Sequence, residues 1–210
     1  MIDLPRLYLI TDRKATANQR SIVDVIGEAL SAIPNGAAIV QMREKDLEGK
    51  DALSLAKQLR EVTRKFACPL LINDRIDIAL AADADGVQLP QDSFDVQTAR
   101  QLLGPDQLIG CSTHSPTEAQ AAANAGADFV VYGPIWSTPS KQTFGPPLGP
   151  ESLPLAAKAR SPIFAIGGVT PQTAPTARNS GAYGVAAIRT VVAAADPAAA
   201  AEQLFASIQD

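Results

Sequence analysis

The sequence is poor in cysteine, has no run of basic residues and contains no long apolar stretch. Its two cysteines, Cys68 and Cys111, form no CxxC pair, so we expect buried thiols in a reducing compartment and neither a zinc site nor a disulfide framework. The 22 acidic residues outnumber the 18 Lys and Arg residues, which argues against a nucleic-acid partner. No stretch approaches the roughly 20 apolar residues of a membrane span, and MIDLPRLYLITDRK lacks the basic start of a signal peptide. We therefore expect a cytoplasmic protein that binds no membrane.

Eight short runs rich in β-branched and apolar residues recur along the 210 residues. Few of them alternate strictly between apolar and polar residues, which is typical of strands buried on both faces. The predicted strands are Leu7–Thr11, Ala37–Met42, Pro69–Asn73, Gly86–Leu89, Leu108–Ser112, Phe129–Gly133, Pro162–Gly167 and Gly184–Ile188. Stretches of helical length, such as DALSLAKQLREVTRKF and SPTEAQAAANAG, lie between them.

The alternation of strands and helices predicts a parallel sheet. Eight strands without a long interruption favour an α/β fold of the (β/α)8 TIM-barrel type, with residues 1–210 as one domain. The alternative is an open doubly wound sheet, but no GxGxxG motif follows the first strand. We expect Gly36, Gly126 and Gly181 to be left-handed helix C-caps. The stretch TVVAAADPAAAAEQLFASIQD is expected to form one closing helix.

Polar residues follow every predicted strand, at the end of a barrel where active sites lie. In chain order they are Asp12 and Arg13; Gln41, Arg43 and Lys45; Asn73, Asp74 and Arg75; Gln91, Asp92 and Ser93; Ser112, Thr113 and His114; Thr138, Ser140 and Lys141; Gly167, Gly168 and Thr170; and Arg189 and Thr190. Each alone is compatible with a solvated loop. Polar groups at all eight strand ends predict one converging site.

The segments IGGVTPQ and AAIRT predict a phosphate subsite after strands seven and eight. They bring small residues to the start of a following helix, where backbone N–H groups and the helix dipole favour phosphate. These two loops are also the usual phosphate site of a TIM barrel. The alternative is that Gly167 and Gly168 only turn the chain.

Arg43, Lys45 and Lys141 are predicted to face Asp74, and Asp92 is the less certain second carboxylate of this group. Cations beside one or two carboxylates suit a Mg²⁺–diphosphate group, because magnesium keeps several waters and takes few protein carboxylates beside phosphate oxygens. The alternative is a ring of ion pairs that stabilises the barrel mouth.

His114, the only histidine, follows strand five, where it is a candidate for proton transfer as well as for a structural role. Trp136 and Phe144 lie in the long loop after strand six. They are predicted either to wall an aromatic ligand or to anchor the loop.

Seven segments in one order resemble the thiamin phosphate synthase and thiazole tautomerase family. They are LYLITDR, VQMREKD, LLINDRIDIALAADADGVQL, IGCSTHS, GADFVVYGPIWSTPSK, PIFAIGGVT and GVAAI, and they cover nearly the whole chain. The resemblance implies a (β/α)8 barrel. It also implies an enzyme that couples hydroxymethylpyrimidine diphosphate to a thiazole phosphate through a carbocation, with release of pyrophosphate.

The resemblance further implies roles for individual residues. Gln41, Arg43, Lys45, Asn73 and Lys141 would bind the pyrimidine and its diphosphate, Asp74 would hold Mg²⁺, Ser112, Thr138 and Ser140 would add polar contacts, and Gly167, Gly168, Ile188 and Arg189 would frame the thiazole phosphate. Fixed cations and a metal would stabilise the charge that develops on the departing diphosphate.

The chain departs from the synthase pattern after strand four. That pattern has a second metal carboxylate in a stretch like GQDD, and this chain has PQDS, so that Ser93 takes the ligand position and Asp92 precedes it. The VQLP stretch resembles the tautomerase branch, which isomerises the thiazole phosphate carboxylate without a metal and would use His114 in proton transfer.

Three functions therefore stay open at this point. The synthase is favoured because Arg43, Lys45, Asn73, Asp74 and Lys141 are all present. The tautomerase, which would need no cofactor, is the alternative. A non-catalytic barrel that binds thiamin precursors is the third interpretation, and whether the chain forms a homo-oligomer is left open.

Overall fold

The predicted strands are present, and they pair in parallel in the order in which they follow one another along the chain. The computed structural model describes residues 4–138 and 146–209 of the protein. Its strands are β1 (Leu7–Ile10), β2 (Ala38–Met42), β3 (Leu70–Asn73), β4 (Gly86–Leu89), β5 (Leu108–Thr113), β6 (Phe129–Tyr132), β7 (Ile163–Ile166) and β8 (Gly184–Ala187). Because β1 also pairs with β8, the sheet closes into a barrel, which excludes the open-sheet alternative.

Helices connect the strands and cover the outside of the barrel. They are α1 (Ile22–Ser31), α2 (Gly49–Lys65), α3 (Ile76–Ala81), α4 (Val96–Leu103), α5 (Pro116–Asn124), α6 (Leu153–Ala156), α7 (Ala174–Asn179), α8 (Arg189–Val192) and α9 (Pro197–Ala206). Among the described residues, none of these helices combines the length and the apolar character that crossing a bilayer requires.

Three aromatic side chains fill the barrel interior. Tyr8, Phe129 and Phe164 are fully buried and meet edge to face, with ring centroids 5.5–5.7 Å apart. Edge-to-face contacts of this kind are favourable because the positive ring edge meets the negative ring face. The interior is therefore a packed core, and a ligand can bind only above it.

A second apolar cluster lies between the outer faces of the strands and the helices. It includes Cys68 and Cys111, both free and buried as expected. Burial raises the pKa of the Cys111 thiol to about 11, because a thiolate is poorly solvated there. Such a thiol stays protonated at neutral pH and acts as a small apolar side chain.

Two details of the connections differ from the prediction. Gly126 and Gly181 lie just past α5 and α7 with φ of 97° and 98°, as helix C-caps should, but Gly36 (φ 76°) lies beyond Pro34 in the turn into β2 and does not cap α1. The predicted closing helix is divided into α8 and α9. Pro197 cannot continue a helix from its N-terminal side, and Asp196 caps α9 by accepting from the Ala199 N–H at 3.0 Å.

We expect Gly86→Ala to lower the free energy of unfolding by about 3 kcal/mol or more. A Cβ at this position would lie 2.0 Å from the backbone oxygen of Leu108 in the neighbouring strand, so β4 would have to shift. Urea-induced unfolding measures the change.

The matched control is Gly27→Ala. Gly27 lies within α1, where the nearest atom to an added Cβ is Val62 Cγ1 at 3.8 Å, an ordinary contact. Alanine is the better helix former, so this variant should gain about 1 kcal/mol. Equal stability of the two variants would contradict the close packing of β4 against β5.

Candidate functional site

The carboxyl ends of the eight strands meet at one rim, and the predicted polar residues lie there. Just above the aromatic core, the interior carries side chains that are polar and almost fully buried. Gln41 is 2% exposed, and its Nε2 donates to Asn73 Oδ1 at 3.0 Å across the β2–β3 pair. The predicted neighbours Gln41 and Asn73 are thus brought together.

A second interior group was not predicted from the sequence. Gln88 is 1% exposed, accepts from the Tyr8 hydroxyl at 3.2 Å and donates to Ser112 Oγ at 3.1 Å. Its signal in the sequence is the single polar residue between Val87 and Leu89, in a strand that is otherwise apolar. A polar residue between two apolar ones in a strand indicates a polar side chain that faces the barrel interior.

The loop after β1 holds the loop after β2. The main-chain N–H of Arg13 donates to Glu44 Oε1 at 3.0 Å, and its guanidinium lies 3.3 Å from Glu44 Oε2. The same guanidinium donates to both carboxylate oxygens of Asp46, at 2.7 and 2.8 Å. Thr11 Oγ1 accepts from the main-chain N–H of Arg43 at 2.9 Å. The loop that carries Arg43 is therefore tied to the barrel rim at several points.

Arg43 and Lys45 form no ion pair with any residue in 4–138 or 146–209. These two cations therefore make no ion pair with Asp74 or Asp92; the ion pairs that the structure describes at this rim involve Arg13, Lys14 and Arg75. Cations that form no ion pair are available to bind an anion.

Asp74 adopts an unusual backbone conformation at the end of β3. Its φ is +67°, in the left-handed region, which Asp and Asn tolerate better than most residues. Its main-chain N–H donates to the main-chain carbonyl oxygen of Gln88 at 2.9 Å, and its Oδ1 accepts from the hydroxyl of Ser93. Strained residues of this kind cluster at functional sites.

A cavity of about 310 Å³ opens between the loops after β2, β3 and β4. Lys45, Asn73, Asp74 and Asp92 are among its lining residues, so the structure brings these predicted residues together. No cluster of three or more His, Cys, Asp or Glu side chains suited to a metal occurs among the described residues. A Mg²⁺ ion here would take its remaining ligands from water and phosphate oxygens, which is its usual preference.

His114 follows β5 on the rim. Its Nδ1 lies within hydrogen-bonding distance of the Gly133 carbonyl oxygen, and its main-chain N–H donates to Glu118 Oε2 at 2.7 Å. A carbonyl oxygen can only accept, so Nδ1 carries the proton and Nε2 of a neutral ring is left as the basic nitrogen.

The loops after β7 and β8 are joined to each other. Gly167 and Gly168 have φ of 94° and 66°, and an added Cβ would lie 2.6 Å from Pro134 Cβ and from Trp136 Cβ respectively. The hydroxyl of Thr190 donates to the Val169 oxygen. Glycine is required here by both conformation and space.

The remaining predicted residues of this region lie around these two loops. Ile188 precedes α8, which begins at the exposed Arg189. The main-chain N–H of Trp136 donates to the Gly167 oxygen at 3.0 Å, and its side chain packs on the core, which supports the prediction that Trp136 anchors its loop. Thr138 is half-buried, whereas Ser140, Lys141 and Phe144 lie outside the described residues.

Comparison with known proteins gives a consistent picture. A family model described as thiamine monophosphate synthase matches residues 7–191. The thiamine-phosphate synthases of Roseiflexus sp. (strain RS-1) and Chloroflexus aurantiacus are 42% and 40% identical, over 96% and 97% of this chain and 84% and 92% of theirs. The chain belongs to the thiamine monophosphate synthase family.

Solved structures agree with this membership. Thiamine phosphate pyrophosphorylase from Pyrococcus furiosus superposes with a TM-score of 0.85 at 33% identity, covering 97% of this chain and 95% of that one. A 3-hexulose-6-phosphate synthase superposes with a TM-score of 0.66 at 22% identity, which shows the barrel fold alone. The family and the TIM-barrel fold predicted from the sequence are confirmed.

Asp46 provides a pH-dependent test of the link between the first two loops. Hydrogen bonds from Arg13, and then from Lys14, hold the pKa of the Asp46 carboxyl well below its usual range. A carboxyl whose pKa is lower in the folded state contributes stability above its unfolded pKa of about 3.9, and loses it as the pH falls. We therefore expect Asp46→Asn to have a smaller drop in melting temperature between pH 6 and pH 3 than the wild type.

The control for this comparison is Asp106→Asn, which changes an exposed carboxylate that forms no ion pair with a described residue. Its melting temperature should follow the wild-type pH profile. If Asp46→Asn also follows that profile, the pairing with Arg13 does not stabilise the protein.

Proposed function

We propose that this protein is a thiamin phosphate synthase, which transfers the pyrimidinylmethyl group of hydroxymethylpyrimidine diphosphate to the ring nitrogen of a thiazole phosphate. The observation that carries the proposal is that Arg43 and Lys45 form no ion pair with a described residue, and that Lys45 of this loop lines the same cavity as the Asp74 carboxylate. This arrangement suits an anion with a bound divalent cation, and the relatives are named for the same activity.

The reaction breaks the bond between the diphosphate oxygen and the methylene carbon attached to the pyrimidine ring, and the bonding electrons leave with the diphosphate. Arg43 and Lys45 would stabilise the charge that develops on those oxygens, and Lys141, which lies outside the described residues, is proposed to assist them. The thiazole nitrogen then supplies the electron pair for the new carbon–nitrogen bond. Gln41 and Asn73 are proposed to hold the pyrimidine at the floor of the site.

The residues beside the cavity fit a magnesium ion. Asp74 would be a direct ligand, and Asp92 lines the same cavity and is the proposed second carboxylate. Ser93, which occupies the expected ligand position, instead donates its hydroxyl to Asp74 and so holds that carboxylate in place. When bound, the ion would neutralise diphosphate charge as the leaving group departs.

The thiazole phosphate is proposed to bind between the loops after β7 and β8. Gly167 and Gly168 expose backbone there, and Ile188 immediately precedes the short helix α8, which begins at Arg189. Loops seven and eight of TIM barrels commonly bind phosphate. Thr138 and Ser140 are proposed to add polar contacts from the loop after β6, and Ser112 from the end of β5.

Thiazole tautomerase remains a second candidate activity because of His114. Its Nδ1 contact with the Gly133 oxygen leaves Nε2 as a base at the rim, which is the arrangement that proton transfer needs. The third interpretation, a barrel that binds precursors without turnover, has no observation in its favour.

The first experiment mixes the protein with hydroxymethylpyrimidine diphosphate and aromatic thiazole phosphate, with and without Mg²⁺. We expect thiamin phosphate and pyrophosphate to form only with the metal. Asp74→Asn should lower kcat by at least about 100-fold, because it removes the ligand charge while asparagine still tolerates the left-handed backbone.

The control is Asp92→Asn, which tests the second proposed carboxylate. It should lower the Mg²⁺-dependent kcat less than Asp74→Asn does, because Asp92 is exposed and has no hydrogen bond to another described residue. Metal-dependent turnover that survives in Asp74→Asn would contradict the assignment of Asp74. A wild-type protein that forms no thiamin phosphate would contradict the proposed function.

His114→Asn separates the two activities. Asparagine keeps a donor for the Gly133 oxygen but lacks the Nε2 base. We expect at most about a tenfold loss of synthase kcat and complete loss of any tautomerase rate, followed with the non-aromatic thiazole phosphate carboxylate. A tautomerase rate that the variant retains in full would remove His114 as the acid–base group.

A further inference from the structure

Three polar side chains connect the buried aromatic core to the mouth of the barrel. Tyr8 is fully buried beside Phe129 and Phe164, Gln88 is 1% exposed, and Ser112 is half-buried at the end of β5. The Tyr8 hydroxyl and Gln88 Oε1 are 3.2 Å apart, and Gln88 Nε2 and Ser112 Oγ are 3.1 Å apart. No other side chain hydrogen bond to these three residues occurs among residues 4–138 and 146–209.

The amide of Gln88 can be placed in two ways, and only one of them satisfies every group. In the first, the Tyr8 O–H donates to the amide oxygen and the amide N–H donates to Ser112. In the second, the amide is turned over, so that Ser112 donates inward and the Tyr8 hydrogen has no acceptor. An unpaired O–H in an apolar interior is costly. Burial also raises the pKa of Tyr8, which keeps its hydroxyl a donor.

The backbone of β5 holds the Gln88 side chain at this position. Gln88 is the register partner of Gly110, and a Cβ on Gly110 would lie 2.3 Å from Gln88 Oε1. Glycine therefore leaves the space that the amide occupies. The strand therefore fixes where the amide lies, and the hydrogen bond from Tyr8 selects which end of the amide faces Ser112.

The direction of these hydrogen bonds determines what Ser112 can offer. Its oxygen already accepts from Gln88, so its one hydrogen is left for an acceptor other than Gln88. Ser112 is already proposed as a polar contact of the substrate; we infer that Gln88 and Tyr8 are positioning residues that keep its hydroxyl a hydrogen-bond donor to an acceptor atom of that substrate. The inference rests on the proposed function, because its test measures synthase turnover.

The test is a double-mutant cycle on kcat/KM with Tyr8→Phe and Ser112→Ala. Tyr8→Phe removes only the donor that orients Gln88, so the amide can turn over and Ser112 can donate inward. We expect this variant to lose about fivefold or more in kcat/KM when Ser112 is present, and less than about twofold in the Ser112→Ala background. Melting temperatures of all variants are measured alongside, since a purely structural effect of Tyr8→Phe would be the same in both backgrounds.

The matched control is Tyr183→Phe. Tyr183 also contacts Phe164 and also donates its hydroxyl to a single acceptor, the Leu4 oxygen, but at the opposite end of the barrel. It should change stability with no change in kcat/KM. Gln88→Met is a second variant: its side chain has no N–H to donate, so the Ser112 hydroxyl loses its orientation and kcat/KM should fall about fivefold or more, as in Tyr8→Phe.

Equal losses from Tyr8→Phe with and without Ser112, or wild-type kcat/KM in Gln88→Met, would overturn the inference and leave the proposed function standing. A wild-type protein without turnover is a different result, because it overturns the proposed function itself.

Discussion

The pairing of β1 with β8 is the constraint on which the rest of the molecule depends. In an open sheet the first and last strands would lie far apart, and their loops could not share a ligand. Closure places all eight carboxyl ends on one rim, so that loops distant in sequence meet above a common floor. The same closure turns alternate side chains of every strand inward, where Tyr8, Phe129 and Phe164 leave no channel.

Above that aromatic core, buried polar side chains and the charged side chains of the mouth differ in whether they have a partner within the protein. The buried amide of Gln41 is paired with Asn73 and that of Gln88 with Ser112, because an unpaired buried group is costly. Two cations at the mouth, Arg43 and Lys45, form no ion pair with a described residue. Arg13 takes the acidic groups Glu44 and Asp46, which leaves Arg43 and Lys45 of the same loop to meet an anion. Arg13 thus contributes ion pairs that stabilise the rim, whereas Arg43 and Lys45 of the same rim are left for binding.

Much of this architecture could be read from the sequence because it depends on local pattern. The short apolar runs predicted both ends of each strand to within one residue, and the polar residues after each run predicted the position of the rim. The error at the C-terminus has a local cause as well. Pro197, preceded by the capping Asp196, starts a new helix, and the alanine-rich composition on both sides hid that break. Gly36 was misassigned because its left-handed conformation serves a turn and not a helix end.

The sequence by itself determined the barrel, the family and the set of polar residues at the strand ends, because strand periodicity and ordered motifs are properties of neighbouring residues. Only the tertiary structure decided which of those residues pair. The partners Tyr8 and Gln88 are 80 positions apart, and Arg13 and Glu44 are 31 apart. Their contacts arise from barrel closure and strand register, which place side chains together by geometry and leave no mark in the local pattern of either segment.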